Sequence, residues 1–172
     1  MAITVGLTDS EEQCFIDLCT KLGQPVSHAL FNALAAKFVL VGLETVIWRR
    51  RPSGLEVLLT QRPANDANWP GFWHSPGVML RATDAPKEVG VPCHFESAFY
   101  RAEAEIGANF SSWPRFAGIN FIRGRRGPNV CLIFACQISG SPARGQFFPT
   151  IDLPEPLVEG HLRIIEQAIR GV

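Results

Sequence analysis

WPGFWHSPGVMLRATD, Trp69 to Asp84, holds two Pro-Gly pairs and two tryptophans and closes on an acid. Proline fixes one backbone dihedral, and glycine reaches conformations closed to other residues. A chain that uses both twice in so short a span redirects its backbone sharply and holds it stiff. Such punctuation continues neither a strand nor a helix, so Trp69 to Pro92 reads as a long loop. What that loop connects decides the fold.

Upstream, Phe38 to Arg50 is rich in Val, Leu, Ile and Trp, and Arg51-Pro52-Ser53-Gly54 separates it from Leu55 to Thr60. The pattern predicts a β-hairpin. Downstream, FESAFYRAEAEI, Phe95 to Ile106, is a run of helix formers, and Gly107 stands where helices end. Phe116 to Ile122 and Val130 to Gln137 flank Gly124-Arg125-Arg126-Gly127-Pro128, a second hairpin with a basic tip. FFPTIDLPEP then reads as a loop, and a last helix is expected near Leu157 to Ile169. At the other end, Thr8-Asp9-Ser10-Glu11 is a capping box. Cys14, Phe15, Leu18, Cys19 and Leu22 come next at helical spacing, Gly23 stops that helix, and Pro25 opens a second one to Lys37. Strands and helices mix without the regular alternation of a doubly wound fold, so the expected class is α/β of the α+β kind. Residues 1–37 read as a helical extension and 38–172 as one mixed domain.

The chain has 172 residues, 47% of them hydrophobic and 19% charged, and a formal net charge of zero. That balance gives no bulk attraction to nucleic acid or to an anionic membrane, and neither partner is expected. The longest apolar run, Phe38 to Leu43, is far too short to span a bilayer. MAITVGLTDSEEQ lacks the basic start and apolar block of a signal peptide, so a cytoplasmic chain is expected. The two leader helices carry little basic charge and no third helix, which favours a packing or dimerisation element over a DNA reader. A homodimer is one expected state. Of five cysteines none forms a C-x-x-C pair, and they read as small hydrophobes in a reduced compartment. Cys93-His94, as half a zinc site or a nucleophile with its base, is the sharper alternative.

From Phe38 to Ile169 the order of parts resembles the Nudix hydrolase family. Leu58-Leu59-Thr60-Gln61-Arg62 is similar to a family strand that ends in Leu-Leu-x-x-Arg, and Pro70-Gly71-Phe72-Trp73 to a Pro-Gly-x-Trp segment. Pro76-Gly77-Val78 fits the Pro-Gly-Gly turn that leads into the Nudix box, with Val78 in the place of the box glycine. The resemblance implies an α/β/α sandwich around a mixed β-sheet, plus the N-terminal two-helix extension. It implies a glutamate-rich helix that holds magnesium or manganese against the diphosphate of a small-molecule nucleotide. Asp84 falls where the first box glutamate belongs, and the helix arrives late, so PKEVGVPC resembles an insertion. Anchoring the helix end on Gly107 puts Tyr100 and Arg101 at the family's Arg-Glu, Ala104 at the first of the next two glutamates and Glu105 at the second. Matching Arg101 to the box arginine instead leaves one residue missing before Gly107. A deletion inside a helix rotates all residues beyond it by about 100°, which favours the first register. Glu105 holds a metal position in both.

Glutamates three and four residues apart share one helical face and offer hard oxygens to a divalent cation. Glu103 and Glu105 are two apart and project to different sides, while Arg101 shares the Glu105 face, where its charge opposes a metal ion. The resemblance therefore assigns Glu105 as metal ligand and catalytic residue and Asp84 as a helper carboxylate. Arg62, Trp73, Gly77 and Arg101 are the expected substrate contacts. Each has a plainer reading beside it: a helix-end acid paired to Arg101, turn chemistry for Asp84, a surface arginine, a core tryptophan. Asp152, Glu155, His161 and the hairpin-tip arginines Arg49 to Arg51, Arg123, Arg125 and Arg126 read as solvated; the sharper alternatives are an extra acid from the late loop, as the resemblance implies for Asp152 and Glu155, and a polyphosphate contact for the arginines. Two functions stay open: magnesium-dependent hydrolysis of a nucleoside diphosphate linked to a further group, and metal-free binding of such a ligand through Arg62 and Arg101. A third, an isomerase of isoprenoid diphosphates, lacks a cysteine in the Pro-Gly loop.

Overall fold

The computed structural model describes residues 6–22, 26–88, 90 and 94–172. The chain divides into two compact units, Met1–Leu34 and Ala35–Val172. In the first, α1 spans Asp9–Lys21, and the capping box is present, with Thr8 accepting from the Glu11 amide and Glu11 reaching back to the Thr8 amide. No α1 residue is buried, and Cys14 and Cys19 are exposed, so the apolar stripe of this helix does not form a core in its own unit. The second helix, α2, spans His28–Ala35 and is shorter than the sequence predicts. Gly23 and Pro25, the expected stop and start, lie outside the described residues.

The second unit is built on a mixed sheet of seven strands: β1 Leu40–Arg51, β2 Gly54–Gln61, β3 Trp73–His74, β4 Gly77–Met79, β5 Arg115–Gly124, β6 Gly127–Cys136 and β7 Gln146–Pro149. The main order is β3-β2-β1-β6-β5, with β4 on β1 and β7 on β2. Among these strand pairs only β1–β6 is parallel. Both predicted hairpins form, β1–β2 and β5–β6. Two expectations are corrected. The Trp69–Pro92 span is not loop throughout, because it contributes β3 and β4, and FFPTIDLPEP is not loop throughout, because its start is β7.

Helix α3, Glu96–Ile106, ends at Gly107, whose φ of 66° lies in the left-handed region that glycine occupies without strain. Helix α4, His161–Ile169, starts later than expected because Leu157 and Val158 pair with Trp73 instead. The pleat of β1 sorts its side chains between two layers. Leu43 packs with Ala98 and Phe99 of α3, and Ile47 with Ile106 of α3, whereas Val46 packs with Ile164, Ile165 and Ala168 of α4. The result is an α/β/α sandwich. Among the described residues no helix is long and apolar enough to cross a membrane.

The free edge of β1 is shared between two strands. β6 runs along β1 from Leu40 to Ile47, so β4, paired at Gly42 to Glu44, must share the opposite edge with β2, which joins only from Trp48. That edge forks at Thr45 to Ile47. Pro76 fills the fork, its carbonyl accepting from the Thr45 amide at 2.8 Å and from the Thr45 hydroxyl at 2.9 Å. The register then sets Glu44 opposite Gly77. A Cβ on Gly77 would stand 2.5 Å from Glu44 Oε2 and 2.9 Å from the Leu43 carbonyl oxygen. Gly77→Ala is therefore expected to destabilise the fold by about 1–3 kcal/mol, read from the denaturant midpoint at constant m. A change within about 0.5 kcal/mol would contradict this packing.

Candidate functional site

A cleft of about 780 Å³ opens beside this fork. Its wall carries three carboxylates, Glu44, Glu105 and Glu159, three guanidinium groups, Arg62, Arg126 and Arg144, and the rings of Trp69, Trp73, His74 and His161. Gly77 and Val78 line it too. Glu105, Arg62, Trp73 and Gly77, four of the residues expected at a site, thus line one cavity.

Asp84 and Arg101 are placed differently. Asp84 caps a short 3-10 turn, its Oδ2 accepting from the Arg81 amide at 2.7 Å. Arg101 holds the same carboxylate in two hydrogen bonds, one of 2.8 Å, and gives another to the Met79 carbonyl at 3.1 Å. Bonded by Arg101 and by the Arg81 amide, the Asp84 carboxyl is held below its ordinary range although partial burial opposes this. Neither residue is part of the cleft wall. The expectation that Arg101 would oppose a metal beside Glu105 is corrected, since its charge is committed to Asp84. Glu103, meanwhile, accepts the Phe110 amide at 2.6 Å.

Glu44 is a cleft residue that the sequence pattern did not single out. A lone acid in the apolar run LVGLETVIW was the available signal, because a charge in such a strand is costly unless something answers it. Its Oε2 is shut off from solvent and has no hydrogen-bond partner among the described residues. Burial, reinforced by the charge of Glu105 and opposed by Arg62, pushes its carboxyl up to about 8. Glu105 is raised as well, by burial, against the pull of Arg62 and Arg144. The two acids thus share one wall, and the charge of Glu105 adds to the effect of burial on Glu44.

Two positions expected to be solvated are not. Arg126 is half-buried, with its guanidinium 4.9 Å from the Trp69 ring centre, because the β5–β6 turn folds over the cleft. His161 is buried, on a helical stripe with Ile164, Ile165 and Ala168; that spacing was the missed signal. Arg62 is tied to Asp66 at 2.7 Å. Trp73 meets Phe148 edge-on, with centres 5.0 Å apart, and packs on the α4-side core while lining the cleft. Asp152 and Glu155 are exposed, as expected. Cys93 lies outside the described residues.

Solved structures of like shape accompany this geometry. The NUDIX domain of Shewanella oneidensis NrtR, solved with ADP ribose, is 24% identical, with a TM-score of 0.54 over 83% of this chain and 96% of that one. A MutT NUDIX hydrolase from Burkholderia pseudomallei is 20% identical, with a TM-score of 0.55 over 76% of this chain and 98% of that one. A mutT/nudix family protein from Listeria innocua gives 20% identity and a TM-score of 0.53, over 74% and 90%. The chain has the Nudix fold. No family model and no curated protein matches the sequence.

The donors in the cleft suit a divalent cation of one kind. Among the described residues no group of three or more His, Cys, Asp or Glu side chains gathers as a cage. Magnesium does not require one: it commonly takes one or two carboxylates, with waters and substrate phosphates completing its shell. Glu44, with its partnerless oxygen, and Glu105 fit that description.

The Glu44 shift fixes a sign. Its folded value, about 8, lies above the unfolded carboxylate value, so the folded state binds the extra proton between the two. Its contribution is unpenalised below the unfolded value and is lost as pH rises toward 8. Glu44→Gln is therefore expected to stabilise the metal-free protein more at pH 8.5 than at pH 4.5, a gap that thermal unfolding in chelator reads; a constant difference would contradict the buried acid.

Proposed function

We propose that the protein is a Nudix-type hydrolase that cleaves the diphosphate linkage of a nucleoside diphosphate joined to a further group, with magnesium or manganese. The partnerless Glu44 oxygen beside Glu105 carries this reading, since an apolar residue would serve stability better at a position with no ligand to bind. In this mechanism Glu44 and Glu105 are the protein ligands. The bound metal would neutralise charge on the diphosphate and ease deprotonation of water. Arg62, Arg126 and Arg144 draw the diphosphate into the cleft and hold its oxygens, and Trp69 and Trp73 supply the flat apolar wall for the rest of the substrate. Gly77 leaves room for the Glu44 carboxylate. The ADP ribose held by the Shewanella domain makes that compound a reasonable first probe.

One observation favours a second reading, a binding module without chemistry. Of the three carboxylates that line the cleft, Glu159 is engaged by Trp69 and Arg125, which leaves two for a metal beside three arginines that can hold a diphosphate without one. Arg101, the sequence candidate for that role, is replaced in it by Arg126 and Arg144.

The two readings separate on one assay. Phosphate or nucleotide release from a diphosphate panel is expected to require magnesium and to fall at least about ten- to a hundredfold in Glu44→Gln and in Glu105→Gln, a loss like that of other metal-site residues. Tight binding with no turnover, unchanged by chelator and by both substitutions, would establish the binding module instead.

A further inference from the structure

The cleft wall holds a chain of polar contacts that the proposed chemistry leaves unused. The Thr60 hydroxyl lies 3.1 Å from His74 Nε2, His74 Nδ1 lies 2.8 Å from the Ser75 carbonyl oxygen, and the Ser75 amide lies 3.1 Å from His161 Nδ1. The two backbone groups fix the protons. A carbonyl can only accept, so His74 Nδ1 carries hydrogen and its Nε2 accepts from Thr60. An amide N–H can only donate, so His161 Nδ1 is bare and its proton sits on Nε2. Both rings are buried, and their centres are 5.9 Å apart. Burial first, then each other's company and the nearby Arg62, disfavours a charge on His161, which is pulled down to about 3.

His161 lines the cleft, and its Nε2–H has no hydrogen-bond partner among the described residues. It is the first residue of α4, and Val158, Glu159 and Ile164 line the same wall, so the amino-terminal end of that helix borders the cavity. A helix presents its positive end there, which favours an anionic oxygen, and the Glu159 carboxylate on the same wall is engaged by Trp69 and Arg125. We propose that His161 is a specificity-determining residue whose Nε2–H donates to an oxygen of the ligand's diphosphate, with Thr60, His74 and Ser75 as positioning residues that fix the direction of that bond. The inference rests on the diphosphate reading of the cleft.

The test uses the pair of amides that divide the imidazole between them. Asparagine keeps an acceptor where Nδ1 sat, so the Ser75 amide stays satisfied, and it loses the donor; glutamine places its amide near Nε2 and keeps the donor. Calorimetry with magnesium and α,β-methylene-ADP, which resists cleavage, is expected to show binding weakened about tenfold or more by His161→Asn and less by His161→Gln. Adenosine, which has no phosphate, is expected to bind all three proteins alike. In the unsubstituted protein, nitrogen NMR is expected to show His161 protonated on Nε2 alone, with that proton shifting when α,β-methylene-ADP is added. Equal affinity of wild type and His161→Asn, or an unmoved Nε2 proton, overturns the inference while the diphosphate reading stands. An equal loss with adenosine overturns the assignment to phosphate. Failure of the wild type to bind either diphosphate compound, this one or ADP ribose, overturns the functional reading and the inference with it.

Discussion

The pairing of Glu44 with Gly77 is the constraint on which the rest of the structure depends. A two-sided sheet strand normally spends every position on packing, and β1 does so at Leu43, Val46 and Ile47. At Glu44 it gives up that gain to hold an acid. The acid fits because the strand opposite presents no side chain, and the fork filled by Pro76 keeps the two strands in register. The two Pro-Gly pairs between Trp69 and Asp84 thus serve one end. The second pair builds the edge that receives Glu44, and the first leads into Trp73, whose backbone ties β2 to the segment ahead of α4.

Charge explains why such a site persists. Two acids whose carboxyls burial pushes up, set among arginines, share one cavity. A divalent cation answers the acids and a diphosphate answers the guanidinium groups, so the two ligands favour one another. The enzyme and the binding module therefore differ by the behaviour of two carboxylates rather than by fold. The neutral imidazole of His161 adds a donor whose direction is set by backbone groups rather than by a flexible side chain.

Much of the fold was legible in the sequence because its signals are local. The capping box at Thr8, the glycine at the end of α3 and the turn residues of two hairpins each act within a few residues. The short strands β3, β4 and β7 were not legible, since they exist only through partners far along the chain. The site divides in the same way. Glu105, Arg62, Trp73 and Gly77 could be placed by pattern, and all four line the cleft. Asp84 and Arg101 could not be paired from sequence, because a salt bridge across an irregular segment leaves no periodic trace. Glu44 and His161 were passed over although each carried a signal, an acid in an apolar strand and a histidine in step with buried isoleucines.

The most direct measurement is anomalous diffraction from crystals grown with manganese and α,β-methylene-ADP. Coordination by the paired acids predicts a peak within coordinating distance of both Glu44 and Glu105, with phosphate oxygens completing the shell. A ligand seated in the cleft with no metal near Glu44, or a metal held elsewhere, would contradict it.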